Sequence, residues 1–285
     1  MKSFFSKSVF CALFLALTAF PAGAQTPVEE GADTLHGSLY SSKVPVWLHL
    51  TPGTAFLQSI DKGASPMRYV GIGANLDYGV TVEWGRFHTQ ADMRGLAGVL
   101  TNAAATPTYD IGLELRAEML YRVSEYPEYN FYLWAGGALR EVMDIRLFSQ
   151  LMNASTGVSN FAGLQAVGMM QFDFARCYHG AHHFLTLYGK LSLPLVTNVS
   201  RPGYAYMDNY TSNLNTENTI LQDYENFTML FSGATTDVGL RLNLPNQNKI
   251  AVSYRWDYLT TGDKGTYRFD HAAHSFLTTF MFNLH

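Results

Sequence analysis

Apolar and polar residues alternate with a period of two along many segments of this chain. Between Lys249 and Leu259, large apolar side chains occupy every second position, and small or polar side chains occupy the positions between them. Because successive side chains of a strand point to opposite faces, this pattern predicts a β-strand with one apolar and one polar face. The same alternation recurs at 110–122, 183–195, 237–244 and 274–284.

The alternating segments predict an all-β fold of about ten strands, within a range of eight to twelve. Pro45, Pro52 and Gly53 interrupt the first segment and make it the weakest, since proline cannot donate to a strand ladder. Because ten is an even number of strands, both ends of the barrel segment are predicted to lie on the same, periplasmic side of the membrane. The predicted strands are 43–57, 67–75, 78–90, 110–122, 129–140, 159–175, 183–195, 227–244, 249–259 and 273–284.

The connections between these segments alternate between short and long. Short periplasmic turns and longer extracellular loops are typical of antiparallel transmembrane β-barrels, so the alternation favours that architecture over a soluble sandwich. We predict short turns at Leu76–Asp77, 126–128, 178–182 and 245–248. We predict long loops at 91–109, 141–158, 196–226 and 260–272.

The first residues have the pattern of a secretory signal peptide. Lys2 and Lys7 precede an apolar stretch at 9–20, and Ala22-Gly23-Ala24 supplies the small residues of a cleavage site. We therefore predict a signal peptide at 1–24, an N-terminal periplasmic segment at 25–42 and an outer-membrane β-barrel at 43–285. No later segment approaches 18 consecutive apolar residues, so the sequence predicts no membrane-spanning helix.

Charge and cysteine content narrow the class further. Without Lys2 and Lys7 the chain has 17 basic and 23 acidic residues, a charge of −6, which argues against a nucleic-acid partner. Cleavage would leave Cys177 as the one cysteine, so no internal disulfide is expected. Charged residues make up only 15% of the chain, whereas Tyr (17) and Phe (19) are plentiful, as expected for barrel strands with aromatic girdles.

The charged residues of the predicted strands share the polar faces. In a bilayer a charge on the lipid face costs about 2–4 kcal/mol near the midplane, so the apolar faces must point outward and the charges into the lumen. The interior of a barrel of this size is narrow and filled by side chains, which predicts mutual ion pairing rather than an open pore. The predicted lumen network comprises Glu114, Arg116, Glu118, Arg122, Arg140, Asp237, Arg241, Arg255 and Asp257.

The last predicted strand carries a family resemblance. Its alternation ends in Phe280, Phe282 and Leu284, which resembles the terminal strand that outer-membrane barrels present to their insertion machinery. The chain as a whole resembles small single-domain outer-membrane β-barrel proteins of the Bacteroidota type, although His285 follows the last apolar residue. The resemblance implies an outer-membrane location, with membrane lipids, lipopolysaccharide and the barrel-insertion machinery as partners.

The histidines give no convincing catalytic constellation. His274 and Ser275 are neighbours in a strand and therefore point to opposite faces. His271 follows Asp270 near the same place, and His88 with Arg86 is expected near the outer rim. His179, His182 and His183 cluster in a predicted short turn and form only a weak metal pattern. We therefore predict no catalytic residue, no metal and no cofactor.

The loop at 196–226 is the most individual feature of the sequence. Arg201, Tyr204 and Tyr206 open it, and exposed Arg and Tyr side chains are favoured at recognition surfaces. The sequence thus favours a non-enzymatic barrel with a structural, surface-binding or narrow channel role and with function in its outer loops. One alternative is an outer-membrane hydrolase acting on lipid or peptide, and a second is a soluble secreted barrel that binds a small apolar ligand inside. The extracellular ligand is not identified.

Overall fold

The computed structural model describes residues 44–148, 156–176, 183–202, 224–262 and 265–284, and most of these residues lie in β-strands. The predicted segments 1–24 and 25–42 lie outside the described residues. No helix in the described part of the chain has the length and hydropathy of a membrane-spanning helix. The strands are β1 (Val46–Asp61), β2 (Ser65–Trp84), β3 (Phe87–Thr101), β4 (Pro107–Tyr126), β5 (Phe131–Phe148), β6 (Thr156–Arg176), β7 (His183–Pro202), β8 (Tyr224–Met229), β9 (Gly233–Asn243), β10 (Lys249–Thr260) and β11 (Phe269–Asn283).

The strands form one closed antiparallel meander. The strands from β1 to β7 each pair with the next strand in sequence, β9 pairs with β10 and β10 with β11, and β1 pairs with β11, so the sheet closes on itself. The short β8 pairs with one end of β7 and β9 with the other, so these two strands share one position in the wall. The described strands therefore occupy ten positions, which confirms the predicted all-β barrel of about ten strands.

The two ends of the barrel differ. At one end, called the turn end, lie the connections at 85–86, 127–130 and 244–248, together with the start of β1 and the end of β11. The opposite end, called the loop end, carries the connections at 62–64 and 102–106 and the described residues 261–262 and 265–268. The predicted turn at 178–182 and most of the predicted loop at 196–226 lie outside the described residues.

Several predicted boundaries are wrong because strands are longer than the alternation indicated. The chain passes through Leu76 and Asp77 without turning and reverses instead at Gly85, where φ is +57°. The predicted loops at 91–109 and 141–158 are largely strand, because β3 continues to Thr101 and β5 to Phe148. The outward face of β3 contains small residues such as Ala91, Gly95 and Ala97, so its apolar period is weak in the sequence.

The first strand tolerates its proline through a local gap in pairing. Pro52 lies inside β1, and the ladder between β1 and β11 lacks partners for Thr51 and Pro52. Pairing resumes at Gly53, where a Cβ atom would lie 2.6 Å from the carbonyl oxygen of Phe276. Proline removes one donor and glycine permits close approach of the next strand, so β1 remains continuous.

The barrel is charged inside and apolar outside. On β4, Ile111 and Met119 point outward and are 44% and 48% exposed, whereas Glu114 and Glu118 point inward and are 6% and 2% exposed. A soluble barrel that binds an apolar ligand would require the opposite arrangement, so that alternative is wrong. Apolar side chains exposed over the whole wall are stable only in contact with lipid, so we treat the strands as membrane-spanning.

The outer surface also marks the edges of the lipid-facing band. Near the turn end, aromatic rings pack side by side, with centroids 5.8 Å apart for Trp84 and Phe87 and 5.3 Å for Phe87 and Tyr121. Towards the loop end, outward polar side chains pair, as Asn160 does with Glu141 at 2.9 Å. With a tilt of about 40° and a rise of about 3.3 Å per residue, a 25 Å band covers about ten residues of a strand.

Candidate functional site in the charged lumen

The middle of the lumen is crossed by an ion-pair network of seven residues, called the central network. Arg140 Nη2 lies 2.8 Å from Glu114 Oε2 and 2.8 Å from Asp257 Oδ2, and Arg94 Nη1 lies 2.9 Å from the same Asp257 oxygen. The network joins β2, β3, β4, β5, β9 and β10. Its members are Asp77, Arg94, Glu114, Arg140, Asp237, Arg255 and Asp257.

A second set of ion pairs lies beside the central network, nearer the turn end. Arg116 Nη2 lies 2.8 Å from Glu118 Oε2 and donates to Ser192 Oγ at 2.7 Å. Lys190 Nζ lies 3.0 Å from the other Glu118 oxygen. Each buried charge in this set has an opposite charge within hydrogen-bonding distance, which offsets the desolvation of the group.

The structure separates two of the predicted network residues from the others. Five of the nine lie in the central network, and Arg116 and Glu118 lie beside it. Arg122 lies at the turn end, where it pairs with Glu125 at 3.1 Å and its guanidinium carbon is 4.7 Å from the centre of a Trp134 ring. Arg241 lines a cavity at the turn end, and its Nε has no hydrogen-bond partner in the described part of the chain.

Two members of the central network, Asp77 and Arg94, were not predicted because the predicted strand boundaries around them are wrong. The sequence predicts a turn at Asp77 and a loop around Arg94, so neither residue is among the predicted lumen charges. Polar residues occupy every second position from His88 through Asp92 to Arg94. That period of two on the polar face was the available signal for a lumen strand.

The cavity between the central network and the turn end has a volume of about 110 Å³. On its wall, His49 Nε2 lies 2.6 Å from Asp92 Oδ1, and His49 Nδ1 lies 3.4 Å from Thr81 Oγ1. His88, expected at the outer rim, lies instead at the start of β3 at the turn end, with its Nδ1 3.2 Å from Glu83 Oε1. Its expected position was wrong because the preceding turn is at Gly85.

A separate group of buried charges fills the loop end and is called the loop-end cluster. Arg146 Nε donates to Asp144 Oδ1 at 2.5 Å and also donates to Asp61, and Arg201 Nη2 lies 2.6 Å from Asp61 Oδ1. Phe269 covers both guanidinium groups, with ring-centre distances of 4.2 and 5.1 Å. The cluster comprises Asp61, Asp110, Asp144, Arg146, Arg201 and His271.

The structure places Arg201 differently from the sequence expectation. Arg201 is part of β7 and is 1% exposed, so it does not open an exposed loop. The alternation is difficult to follow there because β7 has an extra residue, Leu195, between Pro194 and Val196, which pair with the consecutive residues Gln165 and Leu164. Tyr204 and Tyr206 lie outside the described residues, and the role of the three residues in recognition stays a prediction.

The last strand separates its polar residues between the two faces. Ser275 points into the lumen and accepts a hydrogen bond from Asn75 at 2.8 Å. His274 points outward, where its Nδ1 lies 2.6 Å from the hydroxyl oxygen of Tyr254. His271 also points inward, and its Nε2 lies 3.1 Å from Asp110 Oδ2. The three His–carboxylate pairs were not recognised in the sequence because each joins residues on different strands or across a turn.

Apolar clusters fill the remaining lumen in the loop half. Leu57, Leu100 and Phe148 are at most 2% exposed and pack together with Tyr69. A second cluster contains Val142, Phe161, Val199, Leu259 and Phe269. Together with the loop-end cluster, these apolar clusters line the loop half of the lumen formed by the described residues.

Comparison with known proteins gives a likeness of fold only. No family model matches the sequence, and no curated protein matches it. Among solved structures, the outer membrane protease OmpT from Escherichia coli has a TM-score of 0.50 and 8% identity, covering 87% of this chain and 100% of that chain. The translocator domain of autotransporter NalP from Neisseria meningitidis has a TM-score of 0.41 and 10% identity, covering 85% and 90%. The attachment invasion locus protein Ail of Yersinia pestis has a TM-score of 0.26 and 11% identity, covering 83% and 98%. The closed barrel, its outward apolar face and the likeness to OmpT identify the chain as having the outer-membrane β-barrel fold.

Proposed function

We propose that this protein is a closed, non-conducting outer-membrane barrel with a structural or surface-binding role, and that its contact surface lies at the loop end. The observation that carries the proposal is the central network, in which Arg140 bonds to carboxylates on both sides of the lumen. An ion crossing the barrel would have to separate these pairs and then pass between the apolar clusters and the paired charges of the loop-end cluster. A structural or surface-binding role therefore fits better than a channel.

The sequence features support the finer parts of this proposal. A signal peptide at 1–24 would export the chain, and the terminal strand ending at Phe282 and Leu284 would be read by the barrel-insertion machinery. The turn end would then face the periplasm, and the loop end would face the outside among the lipopolysaccharide of a Bacteroidota-type bacterium. The connection at 203–223, with Tyr204 and Tyr206, would be the principal contact surface for an extracellular ligand.

Electrical recording from planar lipid bilayers tests the closed state. The refolded full chain should give no conductance above that of the protein-free bilayer. Heat-modifiable migration on gels and protection of the strands from protease verify insertion. An absence of conductance then cannot be attributed to failed insertion. Stepwise conductance from correctly inserted barrels would contradict the proposal.

A hydrolase is the second candidate, and one observation favours it. His49 stands between Thr81 and Asp92, which is the order of nucleophile, base and orienting carboxylate in hydrolytic triads. Gln90 Nε2 also donates to Asp92 Oδ1 at 3.1 Å and holds the carboxylate in place. The cavity volume of about 110 Å³ is below the roughly 300 Å³ typical of ligand pockets, so only a small acyl group would fit.

Hydrolysis of p-nitrophenyl acetate by the refolded barrel tests the second candidate. If Thr81 is the nucleophile, Thr81→Val and His49→Gln should each abolish the activity. His88→Gln is the matched control, because His88 also pairs with a carboxylate at the turn end but has a different partner. Equal rates in all variants would exclude this triad.

A further inference from the structure

We propose that Asp110, Asp144 and His271 of the loop-end cluster form a binding site for a divalent transition-metal ion. The three residues come from β4, β5 and β11, and one ligand atom from each lies within 4.8 Å of the others. They are 0%, 4% and 7% exposed. One imidazole and two carboxylates are ligands that zinc and manganese accept.

The geometry suits ligands of one ion. His271 Nε2 and Asp110 Oδ2 are 3.1 Å apart. Two ligands at about 2.1 Å from one ion are separated by about 3.0 Å at a right angle and about 3.4 Å at the tetrahedral angle, for the metal–ligand distances typical of zinc. The two atoms can therefore bind one ion with little movement of the strands.

Unpartnered polar atoms on and beside Asp110 point to a missing ligand. Asp110 Oδ1, Thr108 Oγ1 and the Tyr69 hydroxyl are buried and have no hydrogen-bond partner among the described residues. All three side chains line one small cavity of about 10 Å³. That volume is near the lower limit for one water molecule, so a metal-bound water would fit there and bond to the hydroxyl groups.

The charges of the loop-end cluster also favour a cation. With His271 neutral, as an imidazole that binds a metal must be, the three carboxylates of Asp61, Asp110 and Asp144 outnumber the two guanidinium groups. One carboxylate oxygen of Asp110 lies within 4.8 Å of one of Asp144, and two buried carboxylates this close repel unless a proton or a cation lies between them. Both arginines bond to Asp61, and among the described residues Asp110 has no ion pair with either.

Arg146 would orient the site rather than compete for it. Its Nε donates to Asp144 Oδ1 at 2.5 Å, an outer-shell contact of the kind that fixes metal-binding carboxylates.

The proposed site lies beyond the lipid-facing band. Asp110 is eleven residues along β4 from the girdle residue Tyr121, or about 28 Å along the barrel axis, beyond a lipid band of about 25 Å. The ion would join β4 and β5 to β11 above the membrane and would act as a structural cross-link, because the adjacent cavity has room only for water.

Metal analysis of the refolded full chain tests the site. Protein refolded with ZnCl2 and freed of excess ion by gel filtration should retain about one zinc per chain. Asp110→Asn and His271→Gln should each reduce retention at least tenfold. Asp92→Asn is the matched control, since Asp92 pairs with His49 in the other half of the lumen without a second carboxylate ligand, and it should retain zinc like the wild type.

A spectroscopic measurement keeps the test independent of whether the variants fold. The wild-type barrel refolded with CoCl2 should develop visible absorption bands of Co²⁺ bound by nitrogen and oxygen ligands, and zinc should displace them. Absence of retained zinc and of cobalt bands in the folded wild type would overturn the proposal. Undiminished zinc binding in folded Asp110→Asn and His271→Gln would overturn it as well.

Discussion

Arg140 on β5 and Asp257 on β10 bond across the lumen, with 2.8 Å between Arg140 Nη2 and Asp257 Oδ2. The two strands are four positions apart in a wall of ten, so the pair connects nearly opposite sides of the barrel. Asp257 also accepts from Thr235 Oγ1 at 3.0 Å and from Arg94 at 2.9 Å. A barrel wall held in this way resists changes in the shape of its cross-section.

Replacement of Arg140 should destabilise the barrel strongly. Arg140→Met leaves buried carboxylates without their principal partner, and breaking a buried pair in this way costs about 3–5 kcal/mol. Arg122→Met is the control, because Arg122 forms a partly exposed pair worth about 0–1 kcal/mol. Urea unfolding of both variants in lipid vesicles measures the difference, and equal unfolding free energies would contradict the structural role of the central network.

A charge on the lipid-facing surface should have an effect that depends on its height. Met93 and Val99 point outward from β3 and are 48% and 46% exposed. Met93 is six residues from Phe87 at the turn end, or about 15 Å along the axis, whereas Val99 is about 30 Å from it. Met93→Arg should therefore reduce the unfolding free energy in vesicles by about 2–4 kcal/mol and Val99→Arg by about 0–1 kcal/mol. The reverse order would place the membrane elsewhere on the wall.

Gly79 should be intolerant of a side chain because the His49–Asp92 hydrogen bond passes over it. A Cβ at Gly79 would lie 2.6 Å from His49 Nε2, whereas a Cβ at Gly168 on β6 would meet no atom within 4 Å. Gly79→Ala should reduce the unfolding free energy by about 1–3 kcal/mol through overpacking, and Gly168→Ala should not reduce it. Equal stability of the two variants would show that the lumen accommodates the methyl group.

The start of β1 is held by a cation–π contact that a double-mutant cycle can measure. Lys249 Nζ lies 3.5 Å from the centre of the Trp47 ring, and the indole Nε1 donates to the Gln247 carbonyl at 3.0 Å. Lys249→Met and Trp47→Leu should show a coupling energy of about 0.5–2 kcal/mol. Lys62→Met, on an exposed loop-end residue, paired with Trp47→Leu should show a coupling energy near zero.

The sequence predicted the architecture better than the site. Alternation gave the barrel class and the number of strand positions because lipid contact and burial of charge act on every second residue. It misplaced the turn at Leu76–Asp77 because Gly73, Asp77 and Gly79 resemble a turn by composition. In the structure these glycines face the lumen and leave room for side chains of neighbouring strands, such as Leu57 beside Gly73.

Residues that meet across the lumen could not be paired from one sequence. Asp110 and His271 are 161 residues apart and their strands are not neighbours, so no local spacing relates them. Arg201 was assigned to a loop because the proline and glycine that follow it resemble a turn, although the strand continues to Pro202. Such pairs depend on the closure and register of the whole barrel rather than on periodicity.

The seam between β1 and β11 pairs Trp47 with Asn283, residues from opposite ends of the described chain. Contacts between residues so distant in sequence form late, since the chain between them must first be brought together. Until the last strand arrives, β1 and β10 would each present a row of unpaired backbone groups, which lipid cannot solvate. A chain that lacks β11 is therefore an aggregation hazard, and synthesis of this strand becomes the condition for entering the membrane.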